Sequence, residues 1–191
     1  MPTPRLILAS GSPRRRQLLA EAGYAFEVAP ADIDESSYPP DLTADQVPLH
    51  LATAKALIVA QRHPHDVILA ADTVVILGTR LLGKPDDADH ARRMLQSLSG
   101  TTHRCVTAVA VVREGSTRTA VVSSAVHMRP LRADEVDAYV ATGQWRGKAG
   151  GYGIQDADPF VTRMDGSLTN IVGLPMEETR ALLERAGVRP S

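Results

Sequence analysis

The chain has 191 residues, 43% of them hydrophobic, and a formal net charge of −1 at pH 7. That length suits one well-buried domain, and the near-neutral charge provides no global basic field to attract nucleic acid or an anionic membrane. The single cysteine, Cys105, excludes an intrachain disulfide, and neither a basic-then-apolar leader nor an 18-residue apolar span is visible. We therefore expect a cytoplasmic protein that binds a small anionic molecule, with no nucleic acid and no membrane as a partner.

The segment LILASGSPRRRQLL, residues 6 to 19, predicts a buried strand, a turn and the start of a helix. Ser12 and Pro13 suit the N-cap and first helical positions, and Gly23 suits the stop. The three arginines at 14–16 then occupy the first helical turn, where the helix dipole is positive and the amide groups lack partners. A bound phosphate or carboxylate would make that arrangement favourable. The alternative is an exposed helix start whose charges are solvated.

The rest of the chain alternates between helical and strand patterns. An acidic, proline-bearing stretch over 29–45 is expected to be irregular, either a lid or a surface loop. The predicted elements that follow are a helix over 47–63, strands over 66–77 and 80–85 joined at Gly78-Thr79, a helix over 88–100, strands over 103–114 and 118–131 around a Gly115-Ser116 turn, a helix over 132–143, a glycine-rich strand or loop over 150–156, a hairpin over 158–174 and a helix over 176–187.

This mixture of single strands, hairpins and helices predicts an α/β protein. We expect a single domain, residues 1–191, with a mixed twisted sheet flanked by helices. An arrangement as two lobes around a central cleft stays open.

Asp72 is the most informative acidic residue, because it interrupts VILAADTVVIL, a run otherwise apolar enough for a central strand. A buried carboxylate needs a cation, a metal or a reacting water, since burying it unpaired is costly or shifts its pKa. Thr73 beside it offers a hydroxyl at the same spot. We interpret Asp72 as functional, and a structural aspartate that caps a bulge or pairs with an arginine is the alternative.

Two other patterns resemble metal ligands. In the cluster DIDE, alternation would place Asp32 and Asp34 on one side and Glu35 on the other. Hard divalent cations favour such oxygens, although a solvated loop is the commoner origin of such a cluster. The HPHD stretch at 63–66 mimics a metal-binding histidine pair, but its proline and its place after a helix favour a surface turn.

Lysine is rare in this chain, with three lysines among the 21 basic residues. Lys84 and Lys148 stand in glycine-flanked contexts, where a backbone can approach a ligand closely, whereas Lys55 lies in a predicted helix. The glycines that follow Lys148 lead to Gln155, whose amide can read both donor and acceptor edges of a planar base.

Six motifs occur in order: LASGSPRRRQLL, LATAKA, AADTVVIL, LGKPDDADHARRMLQSLSG, GKAGGYGIQ and VGLP. With them the chain resembles, nearly from end to end, the Maf family of nucleoside triphosphate pyrophosphatases. The resemblance implies the ITPase-like fold of that family and cleavage of a nucleoside triphosphate to the monophosphate and pyrophosphate, which removes non-standard or excess nucleotides. It implies a divalent cation, Mg²⁺ or Mn²⁺, as cofactor, and it leaves a homodimer open.

The resemblance also implies roles for individual residues. The family's general base falls on Asp72, which would activate the water that attacks the α-phosphorus. The phosphate-handling positions fall on Ser10, Arg14, Lys55 and Lys84. An acidic position near the metal falls on Glu35.

The family's specificity positions fall on Arg15, Thr73 and Gln155, and this combination resembles the branch that acts on dTTP and UTP. The branch that acts on 7-methyl-GTP instead has a tryptophan after the first arginine of the motif and acidic residues at the other two positions. A neutral glutamine suits an uncharged pyrimidine edge. A 7-methyl-GTP pyrophosphatase and a non-catalytic nucleotide-binding regulator are the alternatives.

Overall fold

The structure is a computed structural model that describes residues 4–156 and 160–190. Its elements are β1 (Leu6–Leu8), α1 (Pro13–Glu21), β2 (Glu27–Val28), α2 (Val47–Arg62), β3 (Val67–Leu77), β4 (Arg80–Leu82), α3 (Ala88–Leu98), β5 (Thr102–Arg113), β6 (Ser116–Met128), α4 (Ala133–Ala141), a 3₁₀ turn (Ala149–Gly151), β7 (Val161–Asp165), α5 (Leu168–Val172) and α6 (Met176–Arg185). None of the helices in this part of the chain is long and apolar enough to cross a membrane.

The strands of the described residues form one mixed sheet in the order β2-β1-β3-β5-β6-β7, with β4 also paired to β3. The strand β1 is parallel to both β2 and β3, whereas the remaining pairs are antiparallel. Helices pack on this sheet, so the predicted α/β class with a mixed sheet is confirmed.

The central strand β3 is buried on both faces, and its residues alternate between two cores. Leu69 and Ala71 face a core shared with Leu19 of α1 and Leu183 of α6. Ile68 and Ala70 face the opposite core, built with three small residues of α2, Ala52, Ala56 and Val59. Because the side-chain period of a strand is two, Asp72 falls on the α2 face and Thr73 on the α1 face.

One edge of β3 is open in the middle. β1 pairs with residues 67–69 of β3, and β4 pairs with residues 75–77. On the other edge, β5 pairs with β3 continuously from Ile68 to Ile76, so β1 and β4 share the first edge. The sheet therefore has a gap beside residues 70–74, and both Asp72 and Thr73 border it.

Two predicted features differ from the structure in more than the exact bounds of an element. The predicted hairpin over 158–174 is wrong, because β7 is followed by the helix α5; Asp158 and Pro159 lie outside the described residues. Ser167 caps that helix through Asn170 N, and Gly173, with φ of 120°, ends it. The turn between β5 and β6 is formed by Glu114 and Gly115, both with positive φ, and not by Gly115 and Ser116.

Two further comparisons concern short segments. The strand β2 has only two residues at the edge of the sheet and no periodic pattern by which it could have been predicted. The stretch over 29–45 contains no helix or strand, as expected.

Candidate active site

A cleft of about 610 Å³ opens at the gap in the edge of β3. Six cationic and three anionic side chains line it: Arg14, Arg15, Lys55, Lys84, Arg146 and Lys148, with Glu35, Asp72 and Asp156. The excess of cations in this cleft contrasts with the near-neutral charge of the whole chain. The positive charge is therefore local to this cleft, an arrangement that suits an anionic ligand.

The buried carboxylate of Asp72 is paired with a lysine from the neighbouring helix. Lys55 Nζ lies 2.6 Å from Asp72 Oδ1, and the two side chains are 6% and 8% exposed. The same ammonium lies 2.7 Å from Glu35 Oε1, and Lys84 donates to Glu35 Oε2. Two carboxylates and two lysines thus form one continuous chain along the cleft.

The two carboxylates of this chain have opposite pKa shifts. Burial raises the pKa of Asp72, and the charge and hydrogen bond of Lys55 only partly oppose this effect. Burial also acts to raise the pKa of Glu35, but hydrogen bonds and attraction from Lys55 and Lys84 outweigh it and bring that pKa to about 2. At neutral pH Glu35 is therefore firmly anionic, whereas Asp72 is the carboxylate with the greater affinity for a proton.

The three consecutive arginines point in different directions, since successive helical residues are rotated by about 100°. Arg15 turns inward and donates to Ser10 Oγ at 3.1 Å, to Thr73 Oγ1 at 3.1 Å and to the Gly173 carbonyl at 2.7 Å. Arg14 donates to the Gly147 carbonyl at 3.3 Å, across the cleft. Arg16 is exposed and lies outside the cleft.

Arg15 is held without a carboxylate partner among the described residues. Burial lowers its pKa, although attraction to Asp72 opposes the shift. Thr73, which accepts a hydrogen bond from Arg15, has its Oγ1 2.9 Å from Oγ1 of Thr107 on β5. The Thr107 hydroxyl in turn donates to the carbonyl of Asn170 in α5. A hydroxyl relay thus fixes the guanidinium against two strands and a short helix.

The expectation that Thr73 and Asp72 act at the same spot requires a correction. They are neighbours in β3 but point to opposite faces, so Asp72 meets Lys55 while Thr73 meets Arg15. Both line the cleft because the sheet edge is open between β1 and β4.

The glycine-rich segment after α4 forms the far wall of the cleft. Gly153 and Asp156 close a turn through a hydrogen bond of 3.1 Å from Asp156 N to the Gly153 carbonyl. Gln155 is an exposed residue of that turn and lines the cleft, whereas Tyr152 is buried, with its hydroxyl 2.6 Å from His103 Nε2.

The structure brings together all the residues predicted for the site. These are Ser10, Arg14, Arg15, Glu35, Lys55, Asp72, Thr73, Lys84 and Gln155. Within the DIDE cluster, Asp32 and Asp34 are exposed outside the cleft, and Glu35 alone faces it. Glu35 lies in a turn in which Asp34 Oδ1 accepts from the backbone and the hydroxyl of Ser36.

Sequence reasoning missed two residues of the site. Asp156 receives hydrogen bonds from Lys148 and Tyr139, and Arg146 reaches the rim. Asp156 directly follows the motif GKAGGYGIQ, and an acidic residue next to Gln155 was a local signal for a role in the site. Its contact with Tyr139 depends on tertiary packing.

A mixed α/β sheet that opens at one edge onto a cleft with an excess of cationic side chains and a buried carboxylate is suited to a small anionic ligand. The family model described as Maf-like protein matches residues 5–186, and the chain belongs to that family. The predicted resemblance is confirmed.

Relatives with curated names match over nearly their full lengths. A dTTP/UTP pyrophosphatase of Anaeromyxobacter dehalogenans (strain 2CP-1 / ATCC BAA-258) is 51% identical, covering 96% of this chain and 95% of the relative. Proteins of the same name from Sphingopyxis alaskensis and Caulobacter vibrioides are 48% and 47% identical, covering 97% and 98% of this chain and 98% of each relative. Among solved structures, a HAM1 protein from Coxiella burnetii has 14% identity and a TM-score of 0.49, covering 66% of this chain and 73% of its own.

Proposed function

We propose that this protein hydrolyses a nucleoside triphosphate, with dTTP and UTP as best substrates, to the nucleoside monophosphate and pyrophosphate. The observation that carries the proposal is the buried Asp72, held by Lys55 at a gap in the sheet that opens into a cationic cleft. Full-length relatives named dTTP/UTP pyrophosphatase support the same reaction. The proposed role is the removal of non-standard or excess nucleotides in the cytoplasm.

In this proposal Asp72 is the general base. Lys55 occupies Oδ1, and Oδ2 has no hydrogen-bond partner among the described residues, so it can accept a proton from a water molecule. The raised pKa brings the carboxylate closer to the operating pH, where a base accepts a proton more readily. The activated water attacks the α-phosphorus, and pyrophosphate leaves with the electrons of the broken P–O bond.

Four side chains are proposed to hold the phosphates: Ser10, Arg14, Lys55 and Lys84. Lys55 and Lys84 are both paired with Glu35, which fixes the two ammonium groups in the cleft where the triphosphate is proposed to bind. Negative charge grows on the leaving pyrophosphate as the bond breaks. Fixed cations stabilise that charge more in the transition state than in the bound substrate, which is the protein's main contribution to phosphoryl transfer.

A divalent cation, Mg²⁺ or Mn²⁺, is the proposed cofactor. No group of three or more histidine, cysteine, aspartate or glutamate side chains in residues 4–156 and 160–190 is arranged to hold a metal ion. The carboxylates of Glu35 and Asp72 nevertheless flank the one ammonium of Lys55 at 2.7 and 2.6 Å. One or two carboxylates together with substrate phosphates are a common magnesium environment, so Glu35 fits its proposed place beside the metal. The cation would neutralise phosphate charge when the nucleotide binds.

Base selection is proposed to depend on Arg15, Thr73 and Gln155. The guanidinium of Arg15 is fixed by Thr73, Ser10 and the Gly173 carbonyl, which leaves part of its donor set for the substrate. Gln155 faces the same cleft, and its carboxamide has no hydrogen-bond partner within residues 4–156 and 160–190, so it can match the acceptor O4 and donor N3–H of uracil or thymine.

Two alternatives predict different side chains or behaviour. A 7-methyl-GTP pyrophosphatase is expected to place carboxylates beside a cationic methylated purine, whereas Thr73 and Gln155 are neutral. A nucleotide-binding regulator has no need of a buried acid beside the reacting phosphate, and Asp72 therefore favours an enzyme.

A panel of nucleoside triphosphates with Mg²⁺, scored separately for pyrophosphate and for inorganic phosphate, tests the proposal. We expect pyrophosphate and the monophosphate in equal amounts, fastest from dTTP and UTP. The Asp72→Asn variant controls for contaminating activity. Release of inorganic phosphate with the diphosphate, or the absence of any product from the whole panel, would contradict the proposed reaction.

A further inference from the structure

The turn that carries Gln155 is closed by a carboxylate with no part in the proposed chemistry. Gly153 N donates to Asp156 Oδ2 at 2.8 Å, and Asp156 N donates to the Gly153 carbonyl at 3.1 Å. Ile154 and Gln155 are therefore the two central residues of a turn that Asp156 closes with both its side chain and its backbone. The Gln155 side chain makes no hydrogen bond within the described residues, so its position depends on this backbone.

Asp156 also ties the turn to the body of the protein. Its Oδ1 accepts from Lys148 Nζ, and its Oδ2 accepts from the Tyr139 hydroxyl at 2.6 Å. The side chains of Lys148 and Asp156 are only 13% and 12% exposed. Charge-assisted hydrogen bonds are short and strong, so three donors on one carboxylate leave it little freedom.

The tyrosine provides a rigid anchor for that carboxylate. Tyr139 lies in α4, is 7% exposed and packs edge-to-face against Phe160 with ring centroids 5.0 Å apart. Burial and the neighbouring Asp156 raise the pKa of the Tyr139 hydroxyl, so it remains a donor throughout the ordinary pH range.

We propose that Asp156 is a positioning residue for base selection, because it fixes the turn on which Gln155 meets the base. The inference rests on the proposed function. Uracil and cytosine present donor and acceptor groups in inverted order, and a carboxamide on a mobile turn can adapt to either. A carboxamide on a fixed turn rejects the wrong base more strongly, since mismatched polar groups stay unpaired.

A purely structural role for Asp156 makes a different prediction. If the carboxylate only compensated the charge of the partly buried Lys148, its loss would lower stability and the binding of every nucleotide alike. Positioning of Gln155 instead changes the ratio between two bases that differ only at their hydrogen-bonding edge.

The test compares the binding of the α,β-methylene analogues of UTP and CTP, in the presence of Mg²⁺, by calorimetry. Asp156→Asn keeps the shape of the side chain but brings an N–H donor toward groups that are themselves donors. Tyr139→Phe removes one of the three donors to the Asp156 carboxylate and keeps the packed ring. It provides a second variant should the first fail to fold. Asp165→Asn is the matched control, because Asp165 also accepts from a basic side chain, that of Arg163, but lies outside the cleft.

We expect the preference for the uridine analogue to fall about fivefold or more in Asp156→Asn, less in Tyr139→Phe, and not at all in Asp165→Asn. Amide hydrogen exchange at 153–156 should accelerate in the first two variants. If the unmodified protein prefers the uridine analogue and both Asp156→Asn and Tyr139→Phe keep that preference within about twofold, the role of Asp156 is overturned while the proposed function stands. If the unmodified protein itself does not prefer uridine, the proposed substrate preference is overturned, and the role of Asp156 with it.

Discussion

Lys55 Nζ lies 2.6 Å from Asp72 Oδ1, so a buried ammonium on α2 is paired with a buried carboxylate on β3. Breaking a buried pair by removing one partner leaves the other charge uncompensated, which is usually destabilising. Here Glu35 provides Lys55 with a second carboxylate at 2.7 Å. The lysine therefore stays paired when Asp72 is neutralised, and the function of Asp72 can be tested in a folded protein.

Asp72→Asn is expected to lower kcat by roughly 10²–10⁴-fold, the usual contribution of a general base, with fold and nucleotide binding retained. Steady-state kinetics with UTP, together with circular dichroism and binding of a non-hydrolysable analogue, measure the three properties. Asp137→Asn, an exposed aspartate paired with Arg92, is the control. A folded Asp72→Asn enzyme with near-normal kcat would refute the assignment.

In the pH profile of kcat/KM, the fall on the acid side (the acid limb) is expected at a pH above the ordinary aspartate pKa of about 4. The base must be deprotonated to act, and burial raises the pKa of Asp72. Lys55 opposes that shift, so Lys55→Met should move the limb to higher pH. Lys84→Met should move it less, since Lys84 contacts Glu35 and not Asp72. Comparing the variants cancels the titration of the substrate's own phosphates. Superimposable limbs in all three proteins would exclude Asp72 as their source.

The three opening arginines are expected to differ in importance. Arg14→Ala and Arg15→Ala should lower kcat/KM sharply, because both side chains line the cleft, whereas Arg16→Ala should leave it nearly unchanged because Arg16 is exposed. Kinetics of the three single variants on UTP are sufficient to compare them. An equal loss at Arg16 would contradict the helical geometry of this turn.

Substrate choice tests the role of Gln155. We expect dTTP and UTP to be the best substrates and CTP and ATP poorer ones. Gln155→Glu should act more weakly on UTP, because a carboxylate cannot donate to O4 of uracil. Preference of the unmodified enzyme for 7-methyl-GTP, or an unchanged UTP rate in Gln155→Glu, would overturn the proposed specificity and leave pyrophosphatase activity standing.

Stability should depend on pH through His103, which is 2% exposed and whose pKa burial lowers from 6.5 to about 4. Between about pH 4 and pH 6.5, His103 binds a proton in the unfolded chain but not in the folded protein. The contribution of His103 is therefore complete above pH 6.5 and is lost as pH falls toward 4, by at most about 1.4 kcal/mol per pH unit. Urea unfolding of the unmodified protein and of His103→Gln at pH 7, 6 and 5 should show a shallower slope for the variant.

Equal slopes in the unmodified protein and in His103→Gln would show that His103 does not exclude a proton in the folded state.

The sequence by itself was sufficient for features that depend on near neighbours. Ser12, Pro13 and Gly23 predicted the bounds of α1, because caps and stops act within one helical turn. The apolar run around Asp72 predicted a buried strand with a charged residue in it. The family motifs then implied the site residues without their geometry.

Only the tertiary structure decided which charges meet. Lys55 and Asp72 are 17 residues apart, and their contact depends on α2 packing against the even-numbered face of β3. The cleft itself exists because β1 ends before β4 begins to pair with the same edge of β3. No local pattern encodes that gap, since it depends on the relative lengths and registers of three strands. The second half of the predicted hairpin became α5 for a similar reason: Asn170 of that helix donates to the Cys105 carbonyl and to Ser124, residues of two distant strands that a local pattern cannot include.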